Sequence, residues 1–124
     1  MEHFGFERDR SIFRDCYRTF LQCHRSLDMH AFRHSRKREQ RIEYMADFTL
    51  IARRTLPSPD YRIFDYVFLR GESATLSAAR FGLDLTDFLL LISGIEARLG
   101  RAFAETEPHA LYPCAAYFSE RAAA

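Results

Sequence analysis

A chain of 124 residues, 48% hydrophobic and 28% charged, has enough apolar side chains to offset the entropy lost on folding, which excludes global disorder, and its length suits one domain better than two. Its 18 Lys and Arg against 17 Asp and Glu leave a formal net charge of +1, so the chain as a whole is neither a polycation nor a polyanion. The charge is unevenly placed, with residues 1–62 at a net +4 and residues 63–124 at a net −3. No run of about 18 apolar residues occurs, and the opening Met1-Glu2-His3-Phe4-Gly5-Phe6-Glu7 lacks the basic-then-apolar order of a secretory leader. The expectation is a cytoplasmic protein with no membrane partner. An odd set of cysteines, Cys16, Cys23 and Cys114, is not a disulfide framework. On one straight helix Cys16 and Cys23 lie about 10 Å apart along the axis, beyond the roughly 7 Å Cα limit for a bridge, so free thiols are expected.

The first predicted element is a helix over residues 9–27, where Ile12, Phe13, Cys16, Tyr17, Phe20, Leu21, His24 and Leu27 follow three-four spacing. Its other face carries Arg14, Arg18 and Arg25, eased only by Asp15, and is open to an anionic partner. The basic stretch 28–40 weakens the pattern. A second helix is expected from about Arg38 to Leu56 on Ile42, Met45, Phe48, Thr49 and Ala52, ended by Pro57 and Pro59. Ser58-Pro59-Asp60 reads as the entrance of a third helix, with Ser58 as its N-cap, running to Gly71. Ser73 or Thr75 caps a short fourth helix through Phe81, and Gly82 ends it in a left-handed conformation. Asp84 or Thr86 opens a fifth helix with a core face of Leu85, Phe88, Leu91, Ile92, Ile95 and Leu99, ended by Gly100. The tail 104–124, with two prolines and several aromatics, is expected to pack over the core as irregular structure and one turn. The predicted class is an all-α, five-helix single domain: a basic helical region 8–56, a tri-helical core 58–103 and the aromatic tail.

In that core, Ala78 is small where two helices pack closely, Gly82 supplies a turn, and Leu83, Phe88 and Leu91 fall at buried positions. The stretch Thr75-Leu-Ser-Ala-Ala-Arg-Phe-Gly-Leu-Asp-Leu-Thr-Asp-Phe-Leu resembles the helix-turn-helix of sigma-factor region-4-like and phage or mobile-element regulators, and Ile95-Glu-Ala-Arg-Leu-Gly-Arg-Ala-Phe is similar to the exit of such domains. The resemblance spans Ser58 to Phe103 and implies a small, non-enzymatic regulator that binds double-stranded DNA. It departs from the pattern at the start of the recognition helix. There Asp84, Leu85, Thr86, Asp87, Leu89 and Leu90 stand where Arg, Lys, Asn or Gln read base edges, and only Thr86 suits a base or phosphate.

The electrostatic hold on phosphate is therefore assigned to the basic half. Arg33, Arg36, Lys37, Arg38 and Arg41 fall within nine residues, and with Arg14, Arg18 and Arg25 they are expected to form one surface that neutralises several phosphates. Arg80, Thr86 and Arg98 position the motif, and a homodimer would span two half-sites. The competing reading of the cation run is a solvated face matched by Asp28, Glu39 and Glu43.

The other candidate chemistry is thin. His30 and His34 have chelating spacing, yet Cys16 and Cys23 cannot both reach one ion from a single helix, so no metal site and no cofactor are assigned. Cys114 has no sequence-adjacent base. No phosphate-cradling glycine loop or nucleophile elbow is present, so no catalytic residue is assigned. The alternative function is an adaptor or inhibitor that binds a protein target through Asp87, Leu90, Gly94 and Ala97 on the long helix. That stripe is small, apolar and opposite much of the core face, and its competing fate is burial under the tail.

Overall fold

The computed structural model describes residues 2–29, 36–106 and 110–118. Among them the chain forms six α-helices and one π-helical segment, with no strand, in a single all-α domain. The helices are α1 (Glu2–Met29), α2 (Arg36–Thr55), α3 (Ser58–Phe64), α4 (Ala74–Arg80), α5 (Leu85–Glu105) and α6 (Cys114–Tyr117). The π-helical segment Asp65–Leu69 continues α3. Two elements exceed the expected five: the π-helical segment, and a short helix within the tail.

The helix boundaries follow their local chemistry. Ser73 caps α4 by accepting the Leu76 N–H at 3.1 Å, and the Asp84 carboxylate caps α5 by accepting the N–H groups of Thr86 and Asp87 at 3.1 and 3.4 Å. Between them Gly82 takes φ +69°, the left-handed conformation that a side chain disfavours. The α3 entrance differs from the expectation. Pro57 is the N-cap, no side chain caps the helix, and Ser58 is already helical.

The core is aromatic. Phe48 is completely buried, with ring centroids 4.4 Å from Phe20, 4.9 Å from Phe103 and 6.0 Å from Phe64. Phe13 meets Phe68 edge-on at 4.9 Å and Phe103 at 6.1 Å. Pairs of this kind contribute about 0.5–1.5 kcal/mol beyond their area burial. Phe64 and Phe68, four residues apart at the entry to the π-helical segment, share a face and both enter the core. The Tyr17 hydroxyl donates to the Phe68 carbonyl at 2.8 Å, satisfying a group at the end of that irregular turn.

The main interface joins α1 and α5. Arg10 pairs with Glu96 at 2.9 Å, and further along both helices, one turn on α1 and two on α5, Phe13 faces Phe103, so the two helices run in the same sense. They touch backbone to backbone at Gly100, where an added Cβ would stand 1.7 Å from the Asp9 carbonyl oxygen. This corrects the expectation that Gly100 ends the long helix. Its function is close approach, and α5 runs on to Glu105. The buried face of α2 is also rotated from the expected one, to Gln40, Tyr44, Phe48, Ile51 and Ala52, while Ile42 is exposed. On α1, Leu21 and His24 are exposed and Cys23 is buried.

Candidate functional site

The α4–α5 corner exposes leucine after leucine. Leu76 on α4 is 61% exposed and Leu90 on α5 is 68% exposed, with Leu83, Leu85 and Leu89 also open to solvent. Five exposed leucines thus lie within fifteen residues. The cause lies in the packing of α5. Glu96 and Gly100 meet α1, and the same helical stripe continues back through Ser93 to Leu89 and Leu85, where it is no longer covered. Asp84 and Asp87, both exposed, set carboxylates beside these side chains. Leu85 and Leu83 were expected in the core and stand outside it. Phe88, on the neighbouring face, is fully buried, and Ala78 is buried where α4 approaches α5.

The stripe expected to meet a partner divides. Leu90 and Asp87 are exposed, and nothing lies within 4 Å of where a Gly94 Cβ would stand. Ala97 is 8% exposed. It is withdrawn from any external partner because it stands beside the Gly5 to Asp9 stretch of α1. Among the described residues the tail does not cover this stripe. It crosses the other side of the molecule, where the Leu111 N–H donates to the Phe103 carbonyl at 3.0 Å and Tyr117 donates to Asp47 at 2.6 Å.

The cations expected to hold phosphate also divide. Arg33, like His30 and His34, lies outside the described residues. Arg36 and Lys37 are exposed on the first turn of α2, and Arg38 and Arg41 are half-buried. Arg14, Arg18 and Arg25 are exposed on α1, about a quarter of a turn from the Thr19, Gln22 and Ser26 side that borders a cleft with Lys37, Gln40 and Arg41, and Arg18 is paired with Asp15. Among the described residues the cations are divided between the exposed side of α1 and the first turns of α2. Arg80 lies over the Tyr66 ring at 4.6 Å, and Arg98 is held by Asp60. Thr86 is exposed among leucines and carboxylates.

A third feature was not legible along the chain. A cleft of about 480 Å³ opens between α1, α2 and the tail, lined by Lys37, Gln40, Arg41, Cys23, Cys114 and Phe118 among others. Beneath its wall the Cys114 and Cys16 sulfurs lie 3.8 Å apart. Tyr44, fully buried, donates its hydroxyl proton to the Cys16 carbonyl at 2.8 Å and lies 3.6 Å from Cys114 Sγ. When Cys114 ionises, the Cys16 S–H donates to it. This hydrogen bond draws the Cys114 thiol down to about 6 against the opposing effect of burial. The same bond, then burial, pushes Cys16 up. Burial also raises Cys23, to about 11, against the attraction of Arg41.

The molecule is thus an all-α domain with an apolar, acid-flanked corner, a basic helix entrance and a thiol-lined cleft. No protein-family model matches the chain, and no curated protein or solved structure matches it. No helix among the described residues is long and apolar enough to cross a membrane.

Proposed function

We propose that this is a non-enzymatic adaptor or inhibitor that docks a protein target on the α4–α5 corner. The observation that carries the reading is the exposure of five leucines within fifteen residues of the α4–α5 corner, since large apolar side chains left open so close together mark an interaction site. The partner is an amphipathic helix whose apolar anchors meet the leucines and whose flanking Lys or Arg answer Asp84 and Asp87. A cytoplasmic setting goes with this reading, because an odd set of unpaired thiols belongs in a reducing compartment. The test is a display selection of helical peptides against the parent chain and its Leu90→Arg and Asp87→Lys variants. Enriched peptides with leucine or phenylalanine at three-four spacing and a basic flank, lost on Leu90→Arg and weakened by Asp87→Lys, support the reading. Enrichment unaffected by Leu90→Arg overturns it, as does concentration-dependent self-association abolished by that variant, which would make a second copy the occupant.

A second reading, a small DNA-binding regulator of helix-turn-helix type, is favoured by Arg36 and Lys37, exposed on the first turn of α2. Cations at a helix N-terminus oppose the helix dipole, and a phosphate placed there would relieve both. In this reading Arg36, Lys37, Arg38 and Arg41 hold the DNA backbone, and α4, the Gly82 turn and α5 are the motif. Fluorescence anisotropy with random-sequence duplex at about 50 and 200 mM salt tests it. Binding that weakens steeply with salt and is lost in the Arg36→Glu/Arg38→Glu variant supports DNA, and no binding at the lower salt removes it.

A further inference from the structure

The geometry at the cleft points to a redox pair: we propose that Cys114 is the site of oxidation by hydrogen peroxide and that Cys16 resolves it as an intramolecular disulfide. Three observations place the chemistry. Cys114 lines an open cleft and is reachable by a small oxidant, whereas Cys16 is 0% exposed and meets the cleft only through Cys114. The sulfurs are already in van der Waals contact at 3.8 Å and need to approach to about 2 Å for a bond. Cys114 begins a helix of a single turn, α6, so the approach requires a shift of one short element and leaves the α1–α5 core in place.

The steps balance without any further reagent. The Cys114 thiolate attacks one peroxide oxygen. The O–O bond breaks, an S–O bond forms, and the departing hydroxide takes a proton to leave as water. Cys114 is now a sulfenic acid, oxidised by two electrons, and the peroxide is reduced. Cys16 sulfur then attacks Cys114 sulfur. The S–S bond forms, the S–O bond breaks, and the leaving hydroxide carries off the Cys16 proton as a second water. Cys23 also lines the cleft, but the sulfur in contact with Cys114 Sγ is that of Cys16, at 3.8 Å. The product ties the tail to α1 across 98 residues of chain.

The test is oxidation of the reduced full chain with a few-fold excess of hydrogen peroxide, followed by thiol titration and peptide mapping. Titratable thiols should fall from three to one, with the mass lowered by two hydrogens. Trypsin should release peptide 15–18 linked to peptide 102–121, leaving peptide 19–25, which holds Cys23, reduced. The Cys23→Ser chain should give the same link, and the Cys16→Ser chain should accumulate a Cys114 sulfenic acid trapped by a cyclic 1,3-dione. Should Cys16→Ser fail to fold, the map of the parent chain decides alone. Peptide 19–25 linked to 102–121, a link between two chains, or three thiols surviving the peroxide each overturns the proposal.

Discussion

Replacing Gly100 by alanine isolates the contact on which the fold turns. On helix propensity alone the change is favourable by about 1 kcal/mol, because glycine in a helix interior costs that much relative to alanine. The structure reverses the sign. The new Cβ would stand 1.7 Å from the Asp9 carbonyl oxygen, 2.7 Å from its carbon and 3.0 Å from the Phe13 nitrogen. A carbon and a carbonyl oxygen approach no closer than about 3.3 Å even in Cα–H···O contacts. Helix α1 must therefore withdraw by roughly 1.5 Å or more, and since the obstacle is backbone, no rotamer change relieves it. The withdrawal loosens Phe13 from Phe103 and Arg10 from Glu96. Overpacking costs about 1–3 kcal/mol where side chains can adjust. With backbone as the obstacle the top of that range applies, and after the propensity gain the net loss is about 2 kcal/mol or more. An unfolding entropy near 2.1 cal/mol/K per residue makes each kcal/mol worth about 4 °C in a chain of this length, so thermal unfolding followed by circular dichroism should show Tm lower by about 8 °C or more. Gly94→Ala on the same helix meets nothing within 4 Å and should raise Tm by about 4 °C through propensity alone. A Gly100→Ala protein melting at or above the parent would refute the helix contact.

Four further outcomes follow from particular side chains. Ser77 is fully buried, and its hydroxyl has no hydrogen-bond partner among the described residues, so Ser77→Ala should stabilise the chain by about 1 kcal/mol in urea unfolding. A double-mutant cycle on Arg10 and Glu96, a half-buried pair at 2.9 Å, should give a coupling energy of about 1 kcal/mol that falls only modestly with salt. Iodoacetamide should alkylate Cys114 with a rate that rises as pH passes through about 6, where its thiolate forms, and then levels. Cys23, held up to about 11, should still be accelerating at the top of the accessible range. Leu90→Arg, on a side chain 68% exposed, should leave the urea midpoint within about 0.5 kcal/mol of the parent, so any loss of binding is not a loss of folding.

Much of the fold was legible because capping and turn chemistry are local. Ser73, Gly82 and Asp84 mark their boundaries whatever surrounds them, and the α1 stripe of Ile12, Phe13, Cys16 and Phe20 needs only helical spacing. The errors arose where a distant element decides. Gly100 carries the same sequence signal whether it stops a helix or admits another backbone, and only the position of Asp9 tells the two apart. Ala97 is buried because α1 extends back to Glu2, earlier than its apolar spacing required. Leu85 fits a core face by period, and is exposed because α1 does not cover that end of α5. One signal was available: Leu83, Leu85, Leu89, Leu90 and Leu91 are more leucines than one face of a helix start can bury. Cys114 and Cys16 carried no signal, since only the fold brings residues so far apart in the chain together.

The central claim, that the leucines of the α4–α5 corner form the docking surface, is tested most directly by nitrogen-15 amide shift mapping of the parent chain with the most enriched basic amphipathic peptide. Perturbations concentrated on residues 76–90, and absent from the Leu90→Arg chain, are the predicted result. Perturbations centred on Arg36, Lys37 and Arg41, or a response unchanged by Leu90→Arg, would contradict the account.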